Sequence, residues 1–148
     1  MGRTTLRARF TAAGSARGER RHLSESGRST RRRVLIADNS VDLARALVEI
    51  IGFDPQLEVV GYVLSGSEVL VRARQEAPDV LVLDLGLPDC SGFEVLERLQ
   101  ADFPKIKVII YTGYASPEIA AQARRKGAAA CVVKDGTFDA LLAALRAP

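Results

Sequence analysis

Four residues in this chain have types and positions that could work as one chemical site. Asp38, Asp84, Thr112 and Lys134 each end a short apolar run: Val34-Leu-Ile-Ala, Val80-Leu-Val-Leu, Val108-Ile-Ile-Tyr and Ala130-Cys-Val-Val. Clustered carboxylates repel one another unless a cation sits among them, and a hard oxygen site of this kind suits Mg2+. A carboxylate beside such an ion can attack phosphorus and form an acyl phosphate. Phosphoryl transfer needs charge neutralisation and alignment more than acid–base groups. Lys134 would supply positive charge beside the ion, and Thr112 a hydroxyl for a phosphoryl oxygen.

These residues need elements that bring them to one place. Strand candidates are Val34–Asp38, Glu58–Leu64, Asp79–Asp84, Lys107–Thr112 and Ala129–Lys134, with helical patterns between them. Leu43, Leu47, Ile50 and Ile51 form one apolar helix face. Ser65 with Glu68, and Ser91 with Glu94, have capping-box spacing. Ser116, Pro117 and Glu118 read as an N-cap, a first-turn proline and an acid facing the helix dipole. Leu141, Leu142 and Leu145 anchor a last helix. Strand–helix alternation implies an α/β fold, a five-stranded parallel sheet with helices on both faces. In such sheets ligands bind beyond the carboxyl ends of the strands. That rim is where Asp38-Asn39, Asp84, Thr112-Gly113 and Lys134-Asp135 would meet. The second strand ends in a helix cap, which fits an edge strand outside the site.

Composition narrows the alternatives. The chain has 148 residues, enough for one domain with a core. Residues 1–33 carry ten arginines against Glu19 and Glu25, a net charge of +8, whereas residues 34–148 carry −5. The basic pI therefore describes a tail, and a nucleic-acid-binding body is not implied. That tail is rich in Arg, Ser, Gly and Ala without hydrophobic periodicity, and is expected to be disordered. Its composition also suits a transit peptide, and a mis-chosen start codon would produce the same stretch. No apolar run approaches the roughly 18 residues that span a bilayer, so a cytoplasmic protein without membrane contact is expected. Cys90 and Cys131 lack a CxxC partner, and the sole histidine, His22, lies in the tail; zinc sites and Cys-His or Ser-His-Asp chemistry are poorly supported.

The motifs Val34-Leu-Ile-Ala-Asp38-Asn39, Asp79-Val-Leu-Val-Leu-Asp84-Leu-Gly-Leu-Pro88-Asp-Cys-Ser-Gly92, Val108-Ile-Ile-Tyr-Thr112-Gly113 and Lys126-Gly127-Ala-Ala-Ala-Cys-Val-Val-Lys134-Asp135 together resemble the receiver domains of response regulators. The resemblance covers nearly all of residues 34–148. Asp84 follows Asp38 by 46 positions, Thr112 follows Asp84 by 28, and Lys134 follows Thr112 by 22. It implies the flavodoxin-like strand order 2-1-3-4-5, with Asp84 as phosphoacceptor and Asp38, Asn39, Asp84 and the Gly86 carbonyl at a Mg2+ site. Thr112 and Lys134 would contact the phosphoryl group. A small residue, Gly113, is expected after the switch hydroxyl, with Pro88 and Gly92 shaping the acceptor loop. The donor would be a histidine kinase or histidine phosphotransfer protein. A downstream protein would read the fourth-helix, fifth-strand, fifth-helix face. The Lys134-Asp135 pair resembles receivers joined to helix-turn-helix outputs, although no DNA-binding output domain is expected within this chain. The resemblance implies a phosphorelay signalling domain, not an enzyme with turnover.

Two positions depart from the family pattern. Asn39 replaces the second acid of the pair after the first strand, which implies weaker Mg2+ binding and slower phosphorylation. Cys131 replaces the aromatic residue whose inward rotation reports activation, and cysteine is too small for that motion. As a bland reading it is a small apolar strand residue. These departures support an alternative, a degenerate receiver that acts as a phosphorylation-independent scaffold. Asp42, Asp79, Asp89 and Asp135 are expected to be solvated or structural. Tyr114 sits where the family tunes acyl-phosphate hydrolysis and equally suits an exposed loop. Flavin- and nucleotide-binding sheets need a Gly- or Ser/Thr-rich phosphate loop where this chain has Asp38. Dehalogenase-like phosphatases carry a second Asp where Gly86 stands.

Overall fold

Short runs rich in Val, Ile and Leu form the sheet. In the computed structural model, which describes residues 30–148, they are β1 (Arg32–Ala37), β2 (Leu57–Val63), β3 (Val80–Leu83), β4 (Lys107–Thr112) and β5 (Ala130–Val133). All pairings are parallel and the strand order is β2-β1-β3-β4-β5, as expected. The helices between and after them are α1 (Val41–Gly52), α2 (Gly66–Glu76), α3 (Gly92–Asp102), α4 (Pro117–Arg125) and α5 (Asp139–Arg146). None is long and apolar enough to cross a membrane.

Alternation along each strand divides the core into two layers. Val34, Ile36, Val80, Val82, Ile109 and Tyr111 point toward α1 and α5, meeting Ala44, Leu47, Ile51, Leu141 and Leu145. Leu35, Ala37, Leu81, Leu83, Val108 and Ile110 point the other way, against Val69, Ala73, Val95, Leu96, Leu99 and Ala123 of α2, α3 and α4. All four residues of β3 are buried, as a strand with neighbours on both sides and helices on both faces requires. Ile50 of the expected α1 face is only half-buried, and Ala44 takes the central place.

β1 begins two residues before the expected start, at Arg32, because arginine side chains anchor its polar end. Arg32 donates to the Leu145 carbonyl at 2.8 Å, the Arg33 guanidinium to the Glu76 carbonyl at 2.6 Å, and the Arg33 amide to Asp79 Oδ2 at 2.8 Å. The other calls on the basic segment, His22 included, lie outside the described residues. Two expected caps form: Ser91 and Glu94 close a capping box on α3, and Ser116 caps α4 ahead of Pro117. The expected box on α2 does not. Ser65 makes no side-chain cap bond; its hydroxyl donates to Glu68 at 3.1 Å, and Glu68 accepts the Leu64 amide at 3.2 Å. Asp89, far along the chain, takes the α2 amides instead.

α5 is held at its end by charge. Lys107 donates to the Ala144 and Ala147 carbonyls at 3.0 and 2.7 Å, which suits the negative end of a helix. Arg146 pairs with Asp54 beside a groove lined by Ile50, Phe53, Pro55 and Leu142. The Gln56 amide, and then the Arg146 guanidinium, hold the Asp54 carboxyl below its ordinary value of 3.8. A depressed carboxyl stabilises the fold at neutral pH and loses that contribution as pH falls through its lowered value. The urea midpoint should therefore fall below pH 3.8 more steeply in the wild type than in Asp54→Asn, as parallel unfolding series would show. Leu47 is fully buried, so Leu47→Ala should cost about 2–5 kcal/mol in denaturant unfolding.

Candidate functional site

Register carries the chemistry to one rim. Ala37 is level with Leu83, Leu83 with Ile110, and Thr112 with Val133. The residues ending or just following these strands, Asp38, Asp84, Thr112 and Lys134, therefore emerge at the same edge of the sheet. Asp38, Asp84 and Thr112 are the three buried polar residues among those described, 2%, 6% and 7% exposed.

Two such carboxylates side by side would be costly without a counter-charge. Lys134 provides it, with Nζ 2.8 Å from Asp38 Oδ2 and 3.3 Å from Asp84 Oδ2. The remaining oxygens accept backbone amides: Asp38 Oδ1 from Ser40 at 2.9 Å, and Asp84 Oδ1 from Gly86 at 3.1 Å. Burial alone would lower the Lys134 pKa. The hydrogen bond to Asp38 and the charges of Asp38 and Asp84 outweigh it, so the ammonium is held above its ordinary value. Its charge also lies 5.6 Å from the Tyr111 ring centroid, close enough for a cation–π contact. The backbone adds one further tie, from the Lys134 amide to the Thr112 carbonyl at 2.7 Å.

The loop after Asp84 folds tightly back. Gly86 bridges antiparallel to Ser91, and the Gly92 amide donates to Leu85 at 3.0 Å. A Cβ on Gly92 would lie 2.6 Å from the Asp84 carbonyl oxygen, so only glycine allows this closure. Gly113 is different, since a Cβ there would meet nothing within 4 Å. Space beside Thr112 is left open.

Asp38, Asp84 and Lys134 bear two negative charges and one positive, leaving a net negative oxygen site. With the Gly86 carbonyl in the same loop, that donor set fits a hard divalent cation. Asn39 enters differently from the expected ligand role: its Nδ2 donates to the Gly86 carbonyl at 2.8 Å. An aspartate at this position could not make that bond.

Several other residues find structural duties. Asp79 accepts the Arg33 amide, Asp89 the amides of Gly66 and Ser67, and Asp135 the amide and hydroxyl of Thr137. Cys131 is half-buried on β5, packed against the α2–α4 layer, and burial pushes its thiol up. Burial, followed by the Asp89 charge, does the same to Cys90. Tyr114 is an exposed loop residue. Tyr111, one position before Thr112, was not singled out in the sequence; in the structure it points toward α1 and α5.

The sequence of residues 34–146 matches the model of the response regulator receiver domain. The DNA-binding transcriptional activator DevR/DosR of Mycobacterium tuberculosis is 39% identical over 70% of this chain and 48% of its own length. The oxygen regulatory protein NreC of Staphylococcus haemolyticus is 30% identical over 77% of this chain and 53% of its own. The chain thus spans about half the length of these relatives. Among solved structures, a CheY-like receiver domain protein from Methanospirillum hungatei superposes with a TM-score of 0.69 at 30% identity, covering 76% of this chain and 89% of that one. The response regulator domain of Thermotoga maritima CheB gives 0.71 at 29% identity, covering 78% and 90%. Sheet order, motif order and sequence relatives agree, and the chain belongs to the receiver-domain family of two-component response regulators.

Proposed function

We propose that Asp84 accepts a phosphoryl group from a phosphohistidine of a kinase or phosphotransfer protein, and that the acyl phosphate changes which partner the domain binds. The observation that carries this reading is the single ammonium, Lys134, paired to both buried carboxylates. A carboxylate oxygen of Asp84 attacks phosphorus as the P–N bond breaks, and the departing imidazole keeps that electron pair. Mg2+ held by Asp38, Asp84 and the Gly86 carbonyl would neutralise charge on the transferred group. Lys134 releases Asp84 as that carboxylate becomes an ester-like anhydride, and turns its charge to the phosphoryl oxygens. Thr112, buried at the end of β4 beside open space, offers its hydroxyl to the same group. These new contacts favour one of two arrangements of the rim and the elements behind it.

A specific observation favours a second reading, a scaffold that works without phosphorylation. The Asn39 amide occupies the Gly86 carbonyl that a metal would use. The two readings differ in one covalent bond. Incubation with a small-molecule phosphodonor and Mg2+ should add one phosphoryl mass to the intact protein, and Asp84→Ala should abolish it. No adduct in folded protein at high Mg2+ would reject the phosphoacceptor role and leave the scaffold. Asn39→Asp should strengthen Mg2+ binding roughly tenfold, because ligand charge tunes affinity, as calorimetric titration would show. Lys134→Ala should slow adduct formation at least about tenfold. It should also destabilise the fold by about 1–3 kcal/mol, a range reduced for the partial exposure of the lysine.

A further inference from the structure

Besides the Asn39 amide on the Gly86 carbonyl, the acceptor loop is fastened at its base and at its tip. At its base, Gly86 bridges Ser91 and the Gly92 amide closes on Leu85. At its tip, the exposed Asp89 commits both carboxylate oxygens to α2: Oδ1 accepts the Gly66 amide at 2.7 Å and Oδ2 the Ser67 amide at 2.9 Å. α2 has no substitute for this grip, since Ser65 makes no side-chain cap bond and its hydroxyl turns to Glu68. Packing fits the same contact. Gly66 is buried, and a Cβ there would overlap Cys90 Sγ and lie 3.3 Å from Asp89 Oδ1. An acid at a helix N-terminus is favourable on its own account. Here, however, the acid comes from a loop 22–23 residues away along the chain, so the cap restrains the loop as much as the helix.

We infer that Asp89 is a positioning residue, whose grip on the first two amides of α2 holds the acceptor loop in the shape that presents the Gly86 amide and carbonyl at Asp84. This rests on the reading of Asp84 as phosphoacceptor for its consequence, though not for its geometry. Only Leu87, Pro88 and Asp89 separate Gly86 from Cys90. A tip released from α2 therefore frees Gly86 across the same short hairpin. The Gly86 amide then dwells less on Asp84 Oδ1, and its carbonyl is less well aimed.

Amide hydrogen exchange by NMR on the full, metal-free chain tests this, together with adduct formation from the phosphodonor. Asp89 is exposed, so its variants should fold. Asp89→Ala should speed exchange several-fold at Gly66 and Ser67 and also at Gly86 and Gly92, and slow Mg2+-dependent adduct formation several-fold. Asp89→Asn, which keeps one accepting oxygen, should fall between, and Ser65→Ala should match the wild type. Faster exchange confined to Gly66 and Ser67 would overturn the inference, leaving Asp89 as a helix cap alone. Adduct formation at the wild-type rate in Asp89→Ala would overturn it equally. A wild type that forms no adduct fails the phosphoacceptor reading instead, and the exchange at Gly86 and Gly92 then decides the role of Asp89.

Discussion

The ammonium of Lys134, set between Asp38 and Asp84, is the interaction around which the rim is arranged. Two carboxylates set side by side this far from water repel each other unless a positive charge lies between them, and burial raises the cost of every unpaired group. The three residues directly follow β1, β3 and β5, so the lysine must reach past β4 to meet its partners. Its stem is long enough, and the Tyr111 ring lies near its charged end. The pairing therefore ties the two halves of the sheet at their carboxyl ends. It also leaves a net negative oxygen site, which is the electrostatic precondition for receiving a hard cation.

The rest of the molecule can be understood as the support that such a site needs. Parallel pairing in one register aligns the strand ends, and doubly covered apolar strands make that register costly to shift. α1 and α5 cover one face and α2, α3 and α4 the other. The acceptor loop lies on the latter side, reaching α2 through Asp89 and closing at Gly92, where no side chain fits. Rigid strands thus hold the charged groups, while a short loop with polar ties holds the backbone groups beside them.

The two departures that the resemblance implies act at different levels. Asn39 changes the site itself: it substitutes a neutral donor for an acid and satisfies the Gly86 carbonyl within the chain. A cation bound there would have to compete with that hydrogen bond and would gain less charge in return. Cys131 changes what lies behind the site. It packs as a small half-buried residue against the α2–α4 layer, where a ring would need room to swing.

Much of this was legible in the sequence. Apolar runs marked all five strands to within a few residues, and local caps at Ser91 and Ser116 marked two helix starts, because both signals depend on neighbours along the chain. Strand-end residue types announced the site, since a parallel α/β sheet directs those ends to one edge. What lay beyond reach were pairings between distant residues. Ser65 and Glu68 had the spacing of a capping box, yet Asp89 took the amides, because chain path brought a stronger acceptor to that helix end. The inward aim of the Asn39 amide and the choice of Lys134 to bridge two carboxylates likewise depend on directions set by packing. Sequence by itself determined which groups the rim would hold, through periodicity and spacing. Tertiary structure alone decided which of them would touch, because hydrogen bonds and ion pairs are set by distances of a few ångströms between residues that lie tens of positions apart.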